Sequence, residues 1–253
     1  MKTRVLLIDA FNLIRRIFEA RPDDSQEIDE VIRSSARSVA RALRQHVPSH
    51  VCVVFDSHET TWRHLLYDSY KLGRKPTPAL LLDNLAMFES AFQELGLRSI
   101  TTPSYEADDV IATIAFVVGH SDAEAIILST DKSFLQLLSD HVMVFNHFEH
   151  KQITESEVRR KYEVEINQLT DYWAMAGDAS NNIKGVPKVG KKTAASLLHR
   201  YGSLENILKD NQPESSAIRV QNNVDLVQRC KQLVTLKTDV ELGINLKSLR
   251  LSR

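Results

Sequence analysis

The stretch SYEADDVIATI, residues 104–114, places Glu106, Asp108 and Asp109 within four positions and follows them with an apolar run. Two like charges about 4 Å apart repel by roughly 4 kcal/mol at an effective dielectric near 20. Either water screens these carboxylates or something positive sits among them. On an ideal helix Glu106 and Asp109, three apart, share a face, and Asp108 points elsewhere. If Glu106 and Asp108 serve one ion, Glu106 must precede the regular helix.

Three further acids stand where they could join the triplet. Asp9 ends the run RVLLID, Asp56 ends VCVVFD, and Asp131 directly follows AIILST. These short apolar, β-branched runs read as buried strands, as do LRSIT (97–101) and VMVFN (142–146). Helical patterns over 28–46, 78–95, 106–118 and 132–138 alternate with them, which argues for an α/β fold with a mostly parallel sheet. Ligands of such sheets collect beyond the carboxyl ends of the strands. Four chain segments therefore deliver Asp9, Asp56, Asp131 and the triplet to one sheet edge. Singly, each acid has an ordinary explanation as a turn former or a helix-dipole partner. Those explanations do not account for four elements ending in acid on one edge. Hard oxygen donors with few histidines suit Mg²⁺ or Mn²⁺ rather than zinc. Two such ions about 3.5–4 Å apart stabilise both the attacking and the leaving oxygen of a phosphodiester under hydrolysis. His147 and His150, in NHFEHK, read as surface residues rather than ligands.

From about residue 154 the texture changes. TESEVRRKY reads as a helix capped by Thr154, with Glu157 three residues on. Two helical patterns then flank the turn GVPKVG, and the next strand signal is a weak one near 240–246. The division expected is a core over 1–153 and a helical module over 154–253.

The 253 residues are 43% hydrophobic, enough for a full core, and the formal net charge is −1. A polyanion would thus have to be met by locally gathered basic residues. Cys52 and Cys230 are far apart and lack zinc-ligand spacing, which points to a reducing, cytoplasmic setting. The N-terminal run is short and broken by Asp9, unlike a signal peptide, and no stretch has the roughly 20 apolar residues of a membrane span. Hydrolase elbows, P-loops and dinucleotide fingerprints do not occur.

Two basic elements remain. In GVPKVGKKTAASLL, glycines allow close backbone approach, and free amides at the following helix start can hold a phosphate. Lys184, Lys188, Lys191 and Lys192 add charge. In WRHLLYDSYKLGRKPTP, Arg63, Lys71, Arg74 and Lys75 alternate with Trp62, Tyr67 and Tyr70, a mixture that suits single-stranded nucleic acid. A plain helix-turn-helix and an amphipathic helix with a soluble face are the competing explanations.

The segments LLIDAFNLIRR, VVFD, YDSYKLGRKPTP, YEADDVIATIA, STDKSFLQLLSD and GDASNNIKGVPKVGKKTAASLLHRYGSLENIL, in this order, resemble the 5′-nuclease, or flap endonuclease, family. The likeness is to its short bacterial members without a polymerase domain, and covers about residues 1–210 well. It implies a PIN-like core with a metal site at its acidic edge, an arch near 57–95, and a helix-hairpin-helix module that grips duplex DNA. It assigns Asp9, Asp56, Glu106, Asp108, Asp109, Asp131 and Asp178 to Mg²⁺ or Mn²⁺, up to two ions, and Lys71 and Arg74 to the scissile phosphate. It assigns DNA contacts to Tyr70, Lys188, Val189, Gly190, Lys191, Lys192 and Thr193. It gives K⁺ the main-chain carbonyls of Met175, Ala176, Lys184, Val186 and Val189. The implied activity is metal-dependent endonucleolytic cleavage of DNA at single-strand/duplex junctions such as 5′ flaps, by a cytoplasmic monomer with no membrane attachment. Two positions depart: Ser133 and Asn181 stand where the family carries acids. A structure-specific DNA-binding protein with weak or no nuclease activity is therefore the alternative. A compact ribonuclease on a similar scaffold fits less well, because it would lack the hairpin module.

Overall fold

The computed structural model describes residues 3–21, 27–57 and 59–251, so small parts of the expected 1–153, 57–95 and 154–253 ranges lie outside the described residues. Two compact units result. The first comprises Met1–Glu59, Lys75–Gln152 and Lys237–Arg253, and the second Thr60–Arg74 and Ile153–Leu236. This differs from a single cut at 153/154 in two segments: 60–74 joins the helical unit, and the chain after 236 returns to the sheet unit.

The sheet unit holds β1 (Arg4–Asp9), β2 (His50–Val54), β3 (Arg98–Ile100), β4 (Glu124–Leu128), β5 (Val142–Asn146) and β6 (Lys151–Ile153), in the spatial order β3-β2-β1-β4-β5-β6. The β1–β2, β2–β3, β1–β4 and β4–β5 pairs are parallel. With helices numbered along the whole chain, this unit carries α1 (Ala10–Glu19), α2 (Ile28–His46), α4 (Ala79–Leu82), α5 (Leu85–Glu94) and α6 (Ala107–Gly119). Leu6, Ile8, Val51, Val53, Ile126 and Leu128 face a core shared with Leu13 and Ile14 of α1, Val31 and Val39 of α2, and Phe88 and Phe92 of α5. The alternate residues Val5, Leu7, Ala125 and Ile127 are buried too, and α6 packs on β1 and β4. Strands covered on both faces need unbroken apolar runs, which is why their sequences do not alternate. The strand order reverses between β1 and β4, and the crevice beyond their carboxyl ends is where such sheets bind ligands.

Two expected elements differ. The 78–95 helix breaks at Asp83 and Asn84, where the Asn84 side chain donates to the Leu80 carbonyl (2.8 Å) and competes with the helix ladder. The strand near 240–246 does not form. Gly243 adopts φ +61°, a short turn at Leu246–Leu249 follows, and a single bridge joins Arg250 to His50.

The helical unit contains α3 (Trp62–Leu66), α7 (Glu155–Tyr162), α8 (Leu169–Ala176), α9 (Lys191–Tyr201), α10 (Leu204–Lys209), α11 (Ser215–Gln221) and α12 (Val224–Val234). The Thr154 and Glu157 side chains form the expected reciprocal cap of α7. Buried Asp171 of α8 accepts from the Leu204 amide at the start of α10 (2.9 Å) and pairs with Lys231 of α12 (2.7 Å), fastening three helices. Arg63 of α3 is only 1% exposed. Its guanidinium donates to the carbonyls of Leu233 (2.9 Å) and Thr235 (3.3 Å) at the end of α12, and lies over the Trp62 ring. A buried cation at a helix C-terminus meets both the dipole and orphan carbonyls, which explains why 60–74 belongs to this unit.

Candidate active site

Asp9 is the last residue of β1 and the N-cap of α1. One carboxylate oxygen accepts from the Asn12 amide (3.2 Å), the other from the Ser129 hydroxyl just beyond β4 (2.8 Å). Ser129 Oγ also accepts from the Asp131 amide (3.1 Å). Asn12 Oδ1 accepts from both the amide (3.1 Å) and the hydroxyl (3.0 Å) of Thr130. Neutral hydrogen bonds thus stitch the ends of β1 and β4 together and hold Asp131 close to Asp9. Sequence reasoning missed Asn12, Ser129 and Thr130; their only signal was polar residues directly after apolar strands. Burial pushes the Asp9 carboxyl up to about 7, the like charges of Asp56 and Asp131 push the same way, and only the bonds from Ser129 and Asn12 oppose them.

Glu106 has extended backbone (φ −85°, ψ 155°) and lies just before α6, as service to one ion with Asp108 requires. Asp56 Oδ1 accepts from the Ala107 amide (2.8 Å), so Asp56 caps α6 from the end of β2. Asp108, in the first turn, accepts a long hydrogen bond from Ser133 Oγ (3.4 Å), and Asp131 Oδ1 accepts from the Ser133 amide (2.8 Å). Asp109 differs from its neighbours. It is fully buried, and its Oδ1 accepts from the Lys237 amide (2.9 Å), so a carboxylate expected as a ligand fastens the returning chain to α6. Among the described residues no three Asp, Glu, His or Cys side chains form a finished metal cage. Asp9, Asp56 and Asp131 interact at electrostatic range. This oxygen-only set, with a buried carboxylate facing two like charges, fits a hard divalent cation. Asp9, Asp56, Glu106, Asp108 and Asp131 are the residues that could hold it.

In the helical unit Asp178 is equally buried, and donors of its own loop face its carboxylate. It accepts from the Ser180 amide (3.1 Å) and hydroxyl (2.6 Å) and from Asn181 Nδ2 (2.9 Å). Asn181 Oδ1 is buried without a hydrogen-bond partner. In the hairpin, a Cβ at Gly185 would lie 2.3 Å from both the Gly177 nitrogen and the Met175 oxygen, so only glycine fits. Of the carbonyls assigned to K⁺, Met175 accepts from the Val186 amide (2.8 Å), Val186 from the Val189 amide (3.0 Å), and Lys184 from the Cys230 thiol (3.4 Å). Each keeps a second lone pair. Lys188, with φ +63°, is exposed, as are Gly190, Lys191 and Lys192. Gly190 is the N-cap of α9, Thr193 is half-buried, and Val189 is buried in the core.

In the basic segment Arg74 is exposed, and the Lys71 amide donates to the Asn181 carbonyl (2.9 Å). Tyr70 is 5% exposed, edge-on to His64, with Lys71 Nζ over its ring. Its ring therefore offers no face for a base, contrary to the expected DNA contact. His147 is also buried, not on the surface. Its Nε2 bonds Ser38 Oγ (2.6 Å), and burial, together with Arg41, His150 and His46, pushes it down to about 4.

The model of the 5′-3′ exonuclease N-terminal resolvase-like domain matches residues 4–163, and that of the 5′-3′ exonuclease C-terminal SAM fold matches residues 164–253. The chain belongs to the 5′-3′ exonuclease family. Members similar to it include the flap endonuclease Xni of Psychromonas ingrahamii, 39% identical over 99% of this chain and 98% of the relative. That of Pseudoalteromonas translucida is 38% identical over 100% of both chains. The fold also matches the crystal structure of T5 D15 protein co-crystallised with metal ions, with a TM-score of 0.77 and 21% identity, covering 93% of this chain and 90% of that one. Human GEN1 in complex with Holliday junction DNA matches at a TM-score of 0.55 and 17% identity, covering 98% and 64%. As a 5′-3′ exonuclease family member, the protein is a nuclease.

Proposed function

We propose that the protein is a divalent-metal-dependent, structure-specific endonuclease that hydrolyses DNA phosphodiesters at 5′ flaps or related branched junctions. The observation that carries this reading is Asp9, buried at the carboxyl end of β1 with two like charges facing it and only neutral donors opposing them. The relatives named flap endonuclease, and the T5 protein crystallised with metal ions, support it.

In this reading Asp9, Asp56, Glu106, Asp108 and Asp131 hold Mg²⁺ or Mn²⁺, up to two ions. A bound divalent ion supplies Lewis acidity at the phosphate and lowers the pKa of the attacking water. Asn12, Ser129 and Thr130 keep Asp9 and Asp131 oriented. Lys71 and Arg74 offset charge that develops on the phosphate. Lys188, Lys191 and Lys192, with the amides of Gly190 and Thr193, take duplex phosphates at the start of α9. The main-chain carbonyls of Met175, Ala176, Lys184, Val186 and Val189 would hold K⁺ in the hairpin, whose charge would favour a nearby phosphate. Among the described residues no helix is long and apolar enough to cross a membrane. We place the enzyme in the cytoplasm as a monomer.

A second reading, DNA binding with weak cleavage, is favoured by Asn181, whose amide is already committed to Asp178. One assay decides between them. Purified protein is incubated with a 5′-flap substrate and Mg²⁺ or Mn²⁺, beside an Asp108→Asn control. Metal-dependent cutting that the control abolishes is expected; no cutting, or equal cutting by the control, defeats the enzyme reading.

A further inference from the structure

Residues 67–74 carry Lys71 and Arg74 on a turn whose backbone is not one that a lysine adopts freely. Lys71 sits at φ +56° and Gly73 at φ +83°. A side chain with a Cβ enters the left-handed region at a cost, and such residues persist only where their surroundings over-determine them. The surroundings here are the loop 178–183. Its Asn181 carbonyl accepts the Lys71 amide (2.9 Å), and Asn182 Nδ2 donates to the Ser69 carbonyl (2.7 Å). The two bonds grip the turn on both sides of Tyr70.

The loop that supplies them is itself held firmly. Asp178 and Ile183 exchange backbone hydrogen bonds (2.8 and 2.9 Å). The Asp178 carboxylate gathers Ser180 and Asn181, and Asn182 takes φ +54°, a conformation that asparagine tolerates better than most residues. On its other side the segment is anchored by the buried Arg63 and by Arg229, whose guanidinium lies 5.6 Å from the Tyr67 ring centre.

We infer that Asn182 is a positioning residue: through Ser69 and the adjoining Asn181 carbonyl it holds the Lys71 turn in its left-handed form. This deepens the proposed nuclease function and rests on it for the role of Lys71. It also gives a physical reason for the neutral residues in this loop. An amide at 182 can donate to a carbonyl, and an amide at 181 can donate to Asp178; a carboxylate at either position would repel the oxygen it faces.

Two variants test this. Asn182→Asp keeps the shape but removes the donor, and Asn182→Gly keeps the left-handed backbone but removes the side chain. The first readout needs no nuclease activity. Trypsin cleavage after Lys71 and Arg74 in the folded protein is expected to accelerate at least about tenfold in both variants, with other sites unchanged. The second is single-turnover cleavage of a 5′-flap with Mg²⁺. The rate is expected to fall about 10- to 100-fold, with substrate Kd within about threefold, and this fall is expected to vanish in a Lys71→Ala background. Unchanged trypsin rates overturn the inference. So does an undiminished fall in the Lys71→Ala background, or a Lys71→Ala enzyme that cuts normally. If the wild-type protein cuts no flap while the trypsin result holds, the positioning stands and the nuclease reading fails.

Discussion

Asp9 and Asp178 are the same residue type, each 5% exposed and each the N-cap of a short-range turn or helix, yet they are handled in opposite ways. Asp9 is given two neutral donors and two like-charged neighbours, and its proton is held to about 7. Asp178 is given three donors from two residues of its own loop, Ser180 and Asn181. The sheet unit therefore concentrates repulsion that a cation would relieve, whereas the helical unit has turned an acid into a loop organiser. The comparison teaches that burial alone does not mark a ligand; what matters is whether the fold has already supplied the counter-groups.

The largest effect tests the first half of that contrast. Asp9→Asn removes a carboxylate that repels its neighbours and that a metal needs. Flap cleavage is expected to fall roughly 1,000-fold, while the metal-free protein melts a few degrees higher. Activity retained, or a lowered Tm in EDTA, would break the contrast.

His147 is the basic counterpart of Asp9, a buried group whose cationic form is opposed by burial and by positive neighbours. It folds neutral at about 4 against an ordinary 6.5. The unfolded chain therefore binds more protons between those values, so its stability contribution is present above pH 6.5 and is lost as pH falls towards 4. The loss is up to ~3 kcal/mol. Urea midpoints across this range are expected to fall for the wild type and much less for His147→Gln.

The smallest effect probes the loop. Asn181→Asp replaces the donor to Asp178 with a second carboxylate, and Ser133→Asp adds one beside Asp108. Together they are expected to cost ~1–3 kcal/mol in EDTA and to tighten divalent-ion binding in calorimetric titration. An unchanged titration would show that these positions lie outside any ion's reach.

The strands and the acid edge were legible because burial on both faces demands apolar runs and each acid sits directly at a run's end. The α6 start was legible only conditionally: the helical pattern ran from 106, and Glu106 had to precede the helix only if it shares an ion with Asp108, whereas the helix begins at Ala107. What escaped depended on partners distant in sequence. Nothing near Asp109 reveals that Lys237 claims it, and nothing near Arg63 reveals the end of α12. Tyr70 and His147 look like surface residues in a polar stretch, but tertiary packing buries both. The 240–246 run has strand-like residues, yet Gly243 and the lack of a continuous edge partner leave one bridge at Arg250.

The clasp on α6 has a consequence in time. Lys237 reaches back to Asp109, and Val240 to the Thr113 hydroxyl, which itself donates to the Lys237 carbonyl. The ribosome makes the larger segment of the helical unit, Ile153–Leu236, before it reaches that clasp, several seconds of work at roughly 5–20 residues per second. During that interval the helix bearing Asp108 has a buried carboxylate without its amide. The nascent chain therefore fastens α6 only after the greater part of the helical unit has been made, so this clasp is coupled to the late stages of the chain's own synthesis.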